Sequence, residues 1–146
     1  MVSAPLWQCP QCDRTFANRN QTHTCARLAD LDAHFARAEP HVRKLFDAFA
    51  DAVRANGEVD ILPEKTRIAF HVRMSFAQLS VRRSYLVGHL VLARRIDDPR
   101  FTKVETFSPR NHLHAFRLDR AEELDEQFRG WIAEAYAVGL QRHLAR

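Results

Sequence analysis

The chain has 146 residues, of which 46% are hydrophobic, and this size and composition suit one packed domain with a small appendage. No apolar run approaches the roughly 18 residues that cross a bilayer, and no secretory signal pattern opens the sequence, so we expect a soluble, cytoplasmic protein with no membrane partner. The formal net charge is +4, and residues 64–117 carry eleven basic and four acidic side chains. This concentration of positive charge predicts an acidic partner.

The head of the chain contains all three cysteines. Cys9 and Cys12 form a Cys-x-x-Cys pair, and His23 and Cys25 follow after ten further residues. Thiolate and imidazole side chains at this local spacing are typical of a tetrahedral zinc site. The pattern predicts a zinc knuckle over residues 1–27 that holds one structural Zn²⁺, because four protein ligands leave no open position for catalysis.

Two alternatives to this zinc site stay open. His34 is a rival to His23 as the fourth ligand, although metal-binding pairs usually come locally spaced. A Cys-Pro-x-Cys pair also occurs in redox-active sites, where a helix N-terminus lowers the pKa of the first thiol. Asn18, Asn20 and Thr22 are poor helix formers, and this favours zinc over redox chemistry.

The hydrophobic pattern of residues 28–146 predicts a second unit, which begins with helices. Asp30 can cap a short helix that ends near Ala38, and Pro40 suits the first turn of another helix. Apolar residues then follow at helical spacing, namely Val42, Leu45, Phe46, Phe49 and Val53. Gly57 stands where this helix is expected to stop.

Beyond Glu58 the apolar residues no longer follow helical spacing but alternate with polar ones, which predicts short strands joined by tight turns. The expected strands cover about 59–62, 66–74, 76–83, 85–92, 101–107 and 112–118. Asp119 and Glu122 resemble a capping box, and a closing helix follows with a wide apolar stripe. The fold predicted is α+β: an N-terminal zinc knuckle, then an antiparallel sheet of about five or six strands covered on one face by helices.

The alternation also predicts a basic face on the other side of the sheet. If Ile68 and Phe70 face the helices, the opposite face carries Arg67, His71, Arg73, Arg82, Tyr85 and Lys103. Such a face can bind nucleic acid or another anionic partner. The plainer interpretation is that charged residues occupy the solvated face of a half-buried sheet.

A different hypothesis places a ligand pocket between the sheet and the helices. His112 and His114 share a face with Phe116, and together with Lys65 and Tyr85 they would serve a small-ligand-binding protein or an enzyme. A third hypothesis is an interaction module whose helices bind a protein partner. The sequence contains no Gly-rich phosphate loop and no His-Glu-x-x-His motif, so we expect a binding protein rather than an enzyme.

Short motifs run through nearly the whole chain. They are Trp7-x-Cys9-x-x-Cys12-x-x-x-Phe16, Gln21-Thr22-His23-Thr24-Cys25, Asp32-Ala33-His34-Phe35, Pro63-x-Lys65-Thr66-x-Ile68-Ala69-Phe70, Asp98-Pro99-Arg100-Phe101, His112, Leu124-Asp125 and Ala135-Tyr136. With these motifs the chain resembles an uncharacterised family of small bacterial domains of unknown function, with a zinc-finger-like head. The resemblance implies one compact α+β domain, with the cysteine-containing head in some members only. It carries no catalytic role and marks Lys65, Arg73 and His112 as positions to test.

Overall fold

A computed structural model of the protein describes residues 5–19 and 30–142, so the predicted zinc ligands His23 and Cys25 lie outside the described residues. The elements are β1 (Trp7–Gln8), β2 (Thr15–Phe16), a 3₁₀ turn (Leu31–Phe35), α1 (Pro40–Arg54), β3 (Asp60–Pro63), β4 (Ile68–His71), β5 (Ser75–Val81), β6 (Leu86–Leu92), β7 (Phe101–Ser108), β8 (Asn111–Leu118), a second 3₁₀ turn (Ala121–Glu123) and α2 (Glu126–Gly139). No helix among these residues is both long and apolar enough to cross a membrane.

Strands β3 to β8 form one six-stranded sheet in the order β3-β4-β5-β6-β8-β7, and every neighbouring pair is antiparallel. Strand β8 lies between β6 and β7, so β7 forms one edge of the sheet and β3 forms the other. Both helices pack on the same face. The predicted α+β class, with an antiparallel sheet covered on one face by helices, is confirmed.

The core lies between the sheet and the apolar stripe of α1. The stripe residues predicted from helical spacing are all buried, and Phe49 is completely inaccessible to solvent. Its ring centroid lies 5.2 Å from that of Phe70 on β4 and 6.1 Å from that of Phe116 on β8. Pro40 occupies the first turn of α1 as expected, because its fixed φ suits that position and no donor is lost there.

The closing helix begins later than the capping pattern predicts. Asp125 is its N-cap, and its carboxylate accepts a hydrogen bond from the Phe128 amide at 2.8 Å. The carboxylate of Glu123 accepts from the amides of Asp119 and Arg120, both at 2.7 Å. These two bonds stabilise a separate 3₁₀ turn, so the chain makes one tight turn before α2 starts.

Strand β4 is shorter than the expected range of 66–74. The register with β5 shifts between Phe70 and His71, and the strand ends there. The Met74 amide then donates to the carbonyl of Gly139 at the end of α2, at 3.0 Å. The β-bulge bends strand β4, and the bond from Met74 holds the following connection at the end of α2. Arg73 therefore leaves the sheet.

Residues 5–19 form a two-stranded hairpin that packs against the sheet domain. Trp7 pairs with Phe16, and the buried Phe16 ring lies with its centroid 5.9 Å from that of His71 on β4. Arg14 forms an ion pair with Glu64 at 3.4 Å, next to the β3–β4 turn. The hairpin therefore covers one end of β4.

Candidate functional site

The sheet face that points away from the helices is called here the open face. Cross-strand register places Gln78, His89, Ala115 and Lys103 side by side on β5, β6, β8 and β7. A neighbouring row contains Ser80, Val87 and Arg117. Most of this face is polar, whereas the residues of the opposite face pack under the helices.

A shallow depression of about 430 Å³ lies on the open face. Its lining includes Gln78, His89 and the small residue Ala115. At its rim the guanidinium carbon of Arg117 lies 3.7 Å from the centroid of the Tyr85 ring. A planar cation stacked on an aromatic ring is a surface on which a nucleic-acid base can stack further.

The cations of the open face have carboxylate partners on the protein itself. Arg67 pairs with Glu64 at 3.0 Å and Lys103 with Glu105 at 2.5 Å. Arg117 pairs with Asp119 at 2.8 Å, and this bond raises the pKa of the guanidinium and lowers that of the carboxylate. The open face is therefore less positive than the sequence suggests. Solvent screens exposed pairs of this kind, so a phosphate can replace the carboxylate at small cost.

A second group of cations lies beside the β5–β6 turn. We call Arg37, Arg82 and Arg83 the arginine cluster. The three side chains, with His34, line a pocket of about 470 Å³, and none of them forms an ion pair with a described residue. The nearby Glu39 carboxylate instead binds Ser84 at 3.2 Å and His41 at 3.4 Å.

The start of α1 holds the β5–β6 turn in place. The amide of Glu39 donates to the carbonyl of Arg83 at 2.8 Å, and Nε2 of His41 lies 2.8 Å from the carbonyl of Ser84. The amide of Arg82 donates to the carbonyl of Tyr85 at 2.9 Å. Arg82, Arg83 and Tyr85 therefore lie in one turn that hydrogen bonds fix to the start of α1.

The turn from Cys9 to Arg14 carries the two predicted zinc ligands that are described. Cys9 is buried and Cys12 is half-buried. The Asp13 amide donates to the Cys9 carbonyl at 2.8 Å, and the Cys9 amide donates to Arg14 at 2.9 Å. Asp13 has φ of 61°, a left-handed conformation that Asp tolerates. Backbone turns that pass through this conformation form concave, amide-lined sites suited to anionic ligands such as thiolates.

Within residues 5–19 and 30–142, no three His, Cys, Asp or Glu side chains form a group that could hold a metal ion. His34, the rival fourth ligand, is already engaged with the sheet domain. Its Nε2 lies 2.7 Å from the carbonyl of Glu64, which can only accept. The imidazole therefore donates there, and that nitrogen is unavailable to a metal.

The structure places His71 beneath the hairpin. Its Nε2 donates to the carbonyl of Thr15 at 2.9 Å, and its Nδ1 lies 3.2 Å from the Ser75 hydroxyl. Burial lowers the pKa of this imidazole, so it is neutral and links the head to the domain. His71 is only 4% exposed and does not contribute a cation to the open face.

The remaining predicted residues do not converge on one pocket. Arg73 donates from Nε to Oε1 of Gln141 at 3.0 Å, at the C-terminal end of α2. Lys65 is exposed on the β3–β4 turn. His114 is completely buried on the helix side of the sheet, whereas Tyr85 is on the opposite face.

Both buried histidines of β8 have their ring nitrogens occupied. His114 accepts from the Ile96 amide at 3.0 Å through Nε2 and donates through Nδ1 to the carbonyl of His112 at 2.9 Å. His112 donates through Nε2 to the carbonyl of Pro109 at 3.1 Å, and its Nδ1 lies 2.9 Å from the Thr106 hydroxyl. The His112 bonds order the end of the β7–β8 hairpin, and the bond from Ile96 to His114 fixes the β6–β7 connection, so both rings act as structural groups.

Sequence patterns missed two members of the arginine cluster. Arg83 follows Arg82 directly, and this adjacency is a signal that could have been used. Arg37 lies far from both in the sequence, on the chain between the first 3₁₀ turn and α1. Only the docking of the β5–β6 turn on α1 brings it close.

Residues 31–139 match the model of the family described as a domain of unknown function (DUF5655). The chain belongs to this family. The matched part contains the whole six-stranded sheet, α1, α2 and the arginine cluster, whereas the cysteine-containing hairpin precedes it. Comparisons with curated proteins and with solved structures found no significant match.

We expect the DUF5655 domain to lose stability in acid, in part through His89. Burial, and then the nearby Arg67, lower the pKa of His89 to about 4 from its ordinary 6.5, although Glu105 opposes this. Between these pH values the unfolded chain binds a proton that the folded chain does not, so stability present above pH 6.5 is lost as the pH falls. The difference between the pKa of His89 in the unfolded and the folded chain corresponds to about 3 kcal/mol of unfolding free energy.

Urea unfolding at pH 7.0 and about pH 4.5 measures this effect, and His89→Gln should flatten the pH dependence. Gln78→Ala changes a side chain that does not titrate, on the strand paired with His89, and serves as the control that leaves the dependence unchanged. An equally steep loss of stability in His89→Gln would contradict the assignment.

Proposed function

We propose that this protein is a non-enzymatic binding protein with a zinc-stapled head, and that its sheet domain binds single-stranded nucleic acid. The observation that carries the proposal is the β5–β6 turn, which carries both Arg82 and Arg83 of the arginine cluster and the Tyr85 ring on which Arg117 of β8 stacks. Single-strand binders combine cations that follow the phosphates with planar side chains on which bases stack.

The arginine cluster is the part of this surface that supports phosphate binding. Arg37, Arg82 and Arg83 have no carboxylate partner among the described residues, so a phosphate does not have to displace one. Guanidinium groups donate in pairs to phosphate oxygens, which orients the backbone. The N-terminus of α1 is close by and adds positive potential.

The open face supports contacts with the bases. Gln78, Ser80 and His89 present donors and acceptors in the depression, and Thr102 lies at its margin. The low pKa of His89 keeps its imidazole neutral near pH 7, with one donor and one acceptor nitrogen. Bases that are not paired expose edges that such groups can bind.

The zinc ion completes the proposal as a structural element of the head. We propose Cys9, Cys12, His23 and Cys25 as its ligands. The turn at Asp13 and the burial of Cys9 support this, because they suit a thiolate turn closed around a metal. The metal would hold the hairpin that covers His71 and β4.

Binding of short single-stranded DNA and RNA by the purified protein should weaken steeply as salt is raised. Arg82→Ala/Arg83→Ala should lower the slope of log K against log salt by about 1.4, since each phosphate contact in a single strand contributes about 0.7. Fluorescence anisotropy with labelled oligonucleotides at several salt concentrations measures both quantities.

Arg94→Ala/Arg95→Ala is the matched control, because it removes two adjacent arginines beyond the other end of β6. It should change the slope much less than the Arg82/Arg83 pair does. Binding that is insensitive to salt, or equal slopes for the two double variants, would reject the phosphate-contact proposal.

A further inference from the structure

Strand β7 is a long edge strand that contains no proline. Its outer side pairs with no described strand, and it runs for eight residues without a proline. The opposite edge, β3, has only four residues and ends in Pro63, and prolines and short strands discourage edge pairing. Phe107 near the end of β7 is 66% exposed.

The sequence of β7 is symmetric about Val104. The segment reads Phe101-Thr102-Lys103-Val104-Glu105-Thr106-Phe107. Positions at equal distance from Val104 carry the same residue type in two cases and opposite charges in the third. When two such strands run antiparallel with Val104 opposite Val104, Lys103 of each stands opposite Glu105 of the other.

We propose that this edge binds a second copy of the same chain, through antiparallel pairing of the two β7 strands about a two-fold axis at Val104. Cross-strand pairs of opposite charge stabilise a sheet, whereas like charges in the same place destabilise it. Self-complementarity about one point is what a two-fold symmetric interface requires.

The details of β7 agree with this pairing. Its register with β8 is irregular between Phe101 and Lys103 and again between Thr106 and Ser108, so the stretch around Val104 is regular. Lys103 and Glu105 share the open face, and within one copy Nζ of Lys103 lies 2.5 Å from Oε1 of Glu105. In the dimer the two pairs form one cluster of four alternating charges.

The dimer also has a consequence for the open face. A two-fold axis between antiparallel strands of one sheet stands perpendicular to that sheet, so both open faces lie on the same side. The two sheets then form one continuous surface, and the helices of both copies cover its other side. A nucleic-acid strand can cross from one copy to the other on such a surface.

Sedimentation velocity of the full chain, from about 1 to about 200 µM, tests the proposal over a range of concentration in which a weak dimer forms and dissociates. We expect a monomer–dimer equilibrium. Lys103→Glu and Glu105→Lys should each raise the dimer Kd by about tenfold or more, because each places like charges opposite one another at both ends of the axis. The double variant Lys103→Glu/Glu105→Lys should restore the dimer.

Lys44→Glu, an exposed change on α1, is the control and should leave the dimer Kd unaffected. Circular dichroism verifies that every variant is folded. A wild-type chain that stays monomeric at the highest concentration overturns the proposal. It is equally overturned if the single variants dimerise like the wild type, or if the double variant fails to recover.

Discussion

Replacing Cys9 with serine is expected to abolish zinc binding and to release the hairpin from the sheet domain. Serine is a poor zinc ligand, and three remaining ligands hold the ion much less tightly. The hairpin buries Phe16 against His71, and a fully buried Phe side chain contributes roughly 1.5–3 kcal/mol. We expect the unfolding free energy to fall by about this amount.

Native mass spectrometry of fully reduced protein measures the metal content, and thermal unfolding measures the loss of stability. Gln11→Ser lies in the same turn, is exposed, and should keep one zinc ion per chain. A wild-type chain that is free of metal but has a protected hairpin in hydrogen exchange would contradict the zinc site.

Gly88→Ala is expected to destabilise the protein strongly, by about 3 kcal/mol. Gly88 lies on β6 in the middle of the sheet, under the depression of the open face. An added Cβ would lie 2.2 Å from the carbonyl oxygen of Gln78 and 2.7 Å from Cδ2 of Leu79. The first of these atoms belongs to the backbone of the paired strand, so it cannot move aside without breaking the ladder.

Gly130→Ala is the matched control for this substitution. Gly130 lies on the exposed side of α2, and an added Cβ would have no atom within 4 Å. Alanine favours the helix over glycine, so this variant should gain about 0.5–1 kcal/mol. Urea unfolding of both variants compares them directly, and a Gly88→Ala protein as stable as the wild type would show that the two strands are spaced more widely.

Local patterns predicted most elements of the fold, because the periods of helices and strands are properties of neighbouring residues. The stripe of α1 and the alternation through β5, β6 and β8 are examples. The element ends were less predictable. The end of β4 depends on a bond from Met74 to Gly139, and the start of α2 depends on Glu123 binding two amides upstream.

The candidate site was predicted only in part. Alternation correctly placed Arg67, Tyr85 and Lys103 away from the core, but it could not show that carboxylates neutralise two of these cations. It also placed His71 on an accessible face, whereas the hairpin buries it. Partners that are distant in the sequence decide charge and exposure, and a strand pattern contains no information about them.

The amino-acid sequence alone indicates the α+β class, the buried stripe of α1, the symmetric segment of β7 and the ligand pattern that predicts zinc. Each of these depends on residues that are near one another in the chain. Which cations lie together depends on the folded chain, because the docking of the β5–β6 turn on α1 brings Arg37 into the same pocket as Arg82 and Arg83. Electrostatic interactions act through space, so the chain had to fold before the arginine cluster existed as a site.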